Sequence, residues 1–201
     1  MVTRLLDEVG VAAYLTDQQL VGSMVAGEEV RGVEFDGCAF DGGVLAGALL
    51  LGCTFTECTF TGIDLARASV TDSTFRECRF VESRLMGVNF ALAHAGAISS
   101  AFAFEHCRMD YASFHGLGLT SSSWHGCRLL DADFGECDLR RTDFAGSDLS
   151  GASFAGADLR DASLIGAVNY ALDVRDVKVK GLRVEASGAG GLLSAFGIVV
   201  D

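Results

Sequence analysis

Proline is absent from all 201 residues. Ordinary globular chains carry it at about 5 %, largely in turns and loops, so connections of the usual kind are not expected here. Cationic residues are also scarce, 15 against 27 acidic ones, for a formal charge of -12. That balance disfavours direct contact with nucleic acid or an anionic membrane and favours a basic partner surface. No uncharged apolar run reaches the length of about 18 residues needed for a spanning helix. At the amino terminus Asp7 and Glu8 stand where a signal peptide needs an apolar stretch. The seven cysteines are odd in number, so they are expected as reduced thiols in a cytoplasmic protein rather than as a disulfide framework.

What the chain does have is a period of five. From Val30 every fifth residue is large and apolar: Phe35, Phe40, Leu45, Leu50, Phe55, Phe60, Leu65, Val70, Phe75, Phe80, Leu85 and Phe90. After an interruption the series resumes one residue out of phase at Phe104 and runs through Met109, Phe114, Leu119, Trp124, Leu129, Phe134, Leu139, Phe144, Leu149, Phe154 and Leu159 to Leu164. Neither a helix of 3.6 residues per turn nor a strand of period two presents every fifth residue to one core, whereas a chain that turns a corner every five residues does. Two residues before each large one lies a smaller series that contains all seven cysteines, among them Cys38, Cys58, Cys78, Cys107 and Cys127. Random scatter would place all seven in that slot with a chance on the order of 1 in 100,000, so the repeat imposes the position.

A longer period sets the number of sides. In the first block the pattern Phe, Phe, Leu, then Leu, Val or Phe recurs every fourth pentapeptide, and Phe114, Phe134 and Phe154 continue that spacing in the second. Four pentapeptides therefore close one coil, and like side chains stack inside. The predicted fold is all-β, a right-handed quadrilateral parallel β-helix with a short C-terminal helix, about 40 Å long for roughly eight coils. Its organisation is read as an N-terminal cap with a short helix at 1–19, coils at 20–90, an interruption at 91–103, coils at 104–184, and a C-terminal helix and short strand at 185–201. Leu20 and Val25 would carry the phase into an imperfect first coil. The interruption is either a bulge that absorbs a slip or a loop that offers a contact surface.

Segments such as Ala132-Asp133-Phe134, Ser147-Asp148-Leu149 and Ala157-Asp158-Leu159 resemble the A(D/N)LXX signature of pentapeptide-repeat proteins. The tail sequence, Met86-Gly87-Val88-Asn89, Phe104-Glu105-His106-Cys107-Arg108 and Ala167-Val168-Asn169-Tyr170 are similar to the Qnr-like, gyrase-protecting branch of that family, and within it to albicidin-resistance proteins. The resemblance implies a DNA mimic that binds DNA gyrase or topoisomerase IV and protects it from an albicidin-, cystobactamid- or quinolone-like poison. It further implies a homodimer joined end to end through Leu192, Leu193, Phe196 and Ile198, with no direct nucleic-acid or membrane contact and no cofactor. A generic interaction scaffold, or a gyrase inhibitor without a protective role, remains open beside that reading.

Asp64, Asp133, Asp138, Asp143, Asp148 and Asp158 each precede a core residue and point outward, which makes them the candidate gyrase-binding acidic face. The same aspartates would serve equally as local turn formers. The histidines His94, His106, His115 and His125 show no metal-binding spacing, and no phosphate loop or nucleophile triad follows from the pattern, so neither catalysis nor a metal is expected.

Overall fold

The computed structural model describes residues 2–4, 14–93, 102–193 and 196. They wind into a four-sided parallel β-solenoid in which neighbouring strands are 20 residues apart: Glu34–Asp36 pairs with Thr54–Thr56, and Ala39–Asp41 with Thr59–Thr61. The inward columns define the four faces. The first carries Leu15, Phe35, Phe55 and Phe75, then Leu119, Leu139 and Leu159. The second carries Leu20, Phe40, Phe60, Phe80, Phe104, Trp124 and Phe144. Leu45, Leu65, Leu85, Met109, Leu129 and Leu149 form the third, and Val30, Leu50, Val70, Phe90, Phe114, Phe134 and Phe154 the fourth; all of these side chains are buried.

Stacking follows from the register. Phe40 lies 4.5 Å above Phe60 and Phe60 4.5 Å above Phe80, ring centroid to centroid and nearly parallel. Adjacent faces meet edge to face, as Phe134 does with Phe144 at 5.6 Å. Both arrangements suit the aromatic quadrupole and add to the burial of apolar area.

The small slot has its own chemistry. Cys38, Cys53, Cys78 and Cys107 donate their thiols to the carbonyls of Leu15, Val30, Phe55 and Phe80 in the coil before, each at 3.4 Å. Ser73 and Thr142 make the equivalent bond to Leu50 and Leu119 at 2.8 and 3.0 Å. A small residue with one donor thus satisfies a buried carbonyl that has a spare lone pair. All seven cysteines are buried free thiols.

The absence of proline now has a cause. The residue two after each large one adopts positive φ at many corners, for example Glu57 at 52° and Glu77 at 54°, and the ring of proline forbids that conformation. Other amides are committed to bonds between coils, such as Leu50 N–H to Ser69 O at 2.8 Å. At Gly43, with φ 99°, a Cβ would overlap the Gly22 carbonyl oxygen, so the close approach of two coils requires glycine.

The ends differ in part from expectation. Within the predicted cap 1–19, Val2–Arg4 pairs in parallel with Gln19–Val21, and Tyr14–Thr16 with Glu34–Asp36, so coiling reaches back before residue 20. A helix within residues 5–13 lies outside the described residues. Val25 does not keep the phase: it is exposed and Met24 is buried in its stead. At the other end Asn169 takes φ 59° and turns its amide to Asp148, leaving Tyr170 and Leu172 to fill the core. A 3-10 turn, Ala186–Gly188, leads into the short helix Ala189–Leu193.

The interruption inserts four residues. Phe80 pairs with Phe104, Arg84 with Arg108 and Asn89 with Ser113, each 24 apart. A 3-10 turn at Phe90–Leu92 opens it, capped by the Asn89 side chain accepting from Ala91 N–H. Residues 94–101 lie outside the described residues. Phe102, in the slot that holds Cys78 one coil earlier, is fully buried against Phe75, Phe80, Phe90 and Phe104 at 5.2–6.4 Å.

Candidate functional site

The six candidate aspartates do not form one acidic face. Asp138 and Asp158 stack on the first face and Asp143 lies on the second. Asp64 and Asp148 lie on the third face and Asp133 on the fourth. Position before a core residue recurs on every side of a four-sided coil, which is why one sequence slot spreads over four surfaces.

All six are half-buried and serve the backbone. Each Oδ1 accepts the N–H two residues on, from Ala66, Gly135, Arg140, Ala145, Ser150 and Arg160 in turn, at 2.9–3.2 Å. This Asx turn sets the corner that follows each strand. The remaining oxygens are largely spoken for: Asp138 by Arg140 and Asp158 by Arg160, both at 2.6 Å, and Asp143 by His125 at 3.2 Å. The Arg140 guanidinium holds the Asp138 carboxyl down to about 2. Arg160 lowers Asp158 in the same way, and the Asn169 amide lowers Asp148.

Negative charge gathers elsewhere, on the first four coils of the first face. The sheet of Tyr14–Thr16, Glu34–Asp36, Thr54–Thr56 and Thr74–Arg76, with the corner residues that follow, presents Asp17, Glu34, Asp36, Glu57 and Glu77 against the single cation Arg76. Higher on the same face the sign changes, and Arg140, Arg141, Arg160, Lys178 and Lys180 accompany Asp138, Asp158 and Asp161. Glu57 and Glu77 share a column at a spacing of 20 and Asp17 stands in it two coils earlier, whereas Glu34 and Asp36 lie in two neighbouring columns of the same face.

At the C-terminal end Leu192 and Leu193 are half-buried, Leu192 against the core, and Phe196 is exposed with the Arg175 guanidinium 5.4 Å from its ring centre. Ile198 and the strand expected beside it lie outside the described residues. A cavity of about 560 Å³ lies there, lined by Asn169, Tyr170, Glu185 and Ser187 among others, and the buried Tyr170 hydroxyl has no hydrogen-bond partner among the described residues. Among those residues no three His, Cys, Asp or Glu side chains are placed to hold a metal, and no helix is long and apolar enough to cross a membrane.

Comparison with known proteins agrees with this geometry. Trypsin-treated QnrB1, a plasmid-mediated fluoroquinolone resistance protein, superposes with a TM-score of 0.60 at 20 % identity, covering 94 % of this chain and 98 % of that one. HetL, a pentapeptide-repeat protein involved in heterocyst differentiation regulation in the cyanobacterium Nostoc, gives 0.61 at 20 % identity, with 86 % of each chain covered. Likeness at this identity is likeness of fold. No curated protein sequence matches the chain. Residues 29–114 match the family described as pentapeptide repeat region, and residues 127–166 the family described as pentapeptide repeats (8 copies). With most of the chain inside those two matches and coils that close every fourth pentapeptide, this protein belongs to the pentapeptide-repeat family.

Proposed function

We propose that this chain is a non-enzymatic surrogate for duplex DNA that binds a type II topoisomerase, DNA gyrase or topoisomerase IV, and protects it from a poisoning antibiotic of the albicidin, cystobactamid or quinolone kind. The observation that carries the reading is the first face: five carboxylates on four successive coils, about 4.8 Å apart along a slender rod, with one cation among them. A topoisomerase grips duplex DNA through cationic surfaces that sense backbone charge and shape, and a stiff anionic column competes for them. The similarity to QnrB1 in fold and the resemblance of the tail and of Ala167-Val168-Asn169-Tyr170 to the gyrase-protecting branch, albicidin-resistance proteins included, supply the target. In this reading Leu192, Leu193, Phe196 and Ile198 join two copies end to end, which doubles the length of the column.

The equal likeness to HetL favours a second reading, an interaction scaffold with no tie to topoisomerases. A supercoiling assay with purified gyrase separates the two. Restored supercoiling in the presence of a poison, lost on replacing Glu34, Asp36 and Glu57 by lysine, is the expected result. No effect on gyrase or topoisomerase IV, with or without albicidin, cystobactamid or a quinolone, would leave the scaffold reading.

A further inference from the structure

Cations form a ladder along the third face of this acidic rod. Val44, Asp64, Arg84, Arg108, Arg128, Asp148 and Val168 follow one another in a single parallel column, each bridged to the next. Three arginines therefore sit on three consecutive coils, about 4.8 Å apart at the backbone. Like charges placed directly opposite in a sheet repel and cost stability, so a fold free to choose would intersperse them.

Compensation from within is incomplete. Asp64 reaches Arg84 only at 3.6 Å, and Arg128 is served at 3.2 Å by Asp110, which is 3 % exposed. Arg108, the middle rung, makes no ion pair among the described residues, and its side chain is exposed. Beside the ladder, toward the N-terminal end of the same face, lies an open groove of about 400 Å³ lined by Ala26, Ala46, Gly47, Ala66, Arg67 and Met86. Tyr111, 63 % exposed, stands at the corner next to Arg108. Arginine, tyrosine and methionine are enriched at protein-binding surfaces.

We propose that the third face docks an extended acidic segment of a partner protein, its carboxylates held by Arg84, Arg108 and Arg128 and its apolar end laid in the groove over Ala46, Ala66 and Met86. Charge complementarity selects the occupant. In an extended peptide alternate side chains lie about 6.7 Å apart on one side, so two or three acidic residues span the ladder. Asp64 and Asp148 close the ladder at both ends. A long uniform polyanion such as a nucleic-acid strand would run past the three arginines onto those carboxylates and onto a chain of net charge -12, whereas a short acidic segment ends before them.

The test uses the full chain and a labelled eight-residue peptide of two leucines followed by alternating glutamate and glycine, with two controls: the same peptide with glutamine for glutamate, and a ten-nucleotide oligothymidylate. Saturable binding of the acidic peptide, at least tenfold weaker for the glutamine peptide and for the Arg108→Gln protein, is expected. Because Arg108 has like-charged neighbours and no ion pair, Arg108→Gln should leave the urea midpoint unchanged or raise it, whereas a merely structural arginine would lower it. No saturable binding by the unaltered protein, or binding indifferent to Arg108→Gln, overturns the proposal. Tighter binding of the oligonucleotide, lost in the same variant, assigns the ladder to nucleic acid instead. None of these outcomes involves a topoisomerase, so they stand or fall apart from the first-face reading.

Discussion

Phe80 and Phe104 are 24 residues apart, yet they pair in register in one parallel sheet and stack their rings at 5.1 Å, 14° from parallel. The four inserted residues leave the second-face column unbroken, since Phe104 stacks in turn on Trp124 at 4.3 Å. The change is taken up beside it, where Phe102 enters a slot that holds no other aromatic side chain among the described residues.

Phe102 is therefore expected to be a core residue of the interruption rather than part of a loop. Phe102→Ala should cost about 3–5 kcal/mol, as truncation of a buried aromatic does. The urea midpoint of the variant checks this. A loss below about 1 kcal/mol would show that its four aromatic neighbours close over the space.

This residue also marks where the sequence stops being legible. Period five and period twenty placed the core columns, the small slot and the number of sides, because each is a local rule repeated by every coil. Phe102 breaks the local rule for a reason that lies in the coil before it, and only the register of 24 reveals it. Surface chemistry was less legible for a related cause. Asp64 and Asp148 occupy the same slot as Asp138, so one sequence position points to four faces, and the slot says nothing of whether Arg140 or Asn169 holds the carboxylate. Glu57 and Glu77 do form a column, because they hold the same slot 20 residues apart.

The Asx turns predict a difference between two substitutions that remove the same charge. Asp143→Asn keeps an Oδ1 acceptor for Ala145 N–H, now at 3.2 Å, and should fold within about 0.5 kcal/mol of the parent. Asp143→Ala removes the acceptor and should cost about 1 kcal/mol. Thermal or urea unfolding of the pair checks it, and equal stabilities would mean that the corner holds without the side chain. Asparagine replacements, not alanine, are accordingly the right means of testing charge in gyrase binding.

The thiols should be silent in the folded protein. Burial raises Cys38 and Cys53 above the ordinary thiol range and pushes Cys137 up to about 12; the adjacent Cys127 thiol lowers Cys107, but all seven are buried and none is accessible. Iodoacetamide at pH 8 should modify none of the seven cysteines in the native state and all seven in denaturant, read by mass spectrometry. Modification of any one without denaturant would locate a coil that opens.

The proposed end-to-end dimer rests on the tail. Leu192→Asp with Leu193→Asp should halve the mass measured by light scattering and leave the circular dichroism of the coils intact, because the short helix Ala189–Leu193 follows the last coil. An unchanged mass would remove these residues from the interface.

Acid should unfold the rod late. Asp138 and Asp173 are held at about 2 by Arg140 and Arg175, against about 3.9 for a free aspartate. A carboxylate with a depressed folded value stabilises the native state wherever the unfolded chain is also ionised, and that contribution is lost as pH falls through the folded value. The urea midpoint should therefore hold from neutral pH to about 4 and decline between about 4 and about 2. Asp138→Asn should shallow that decline. Since the Asp138 and Arg140 side chains are 35 % and 41 % exposed, molar salt should weaken the pair as well. A midpoint that falls steadily from pH 7 would show that these aspartate–arginine pairs do not set the acid limit.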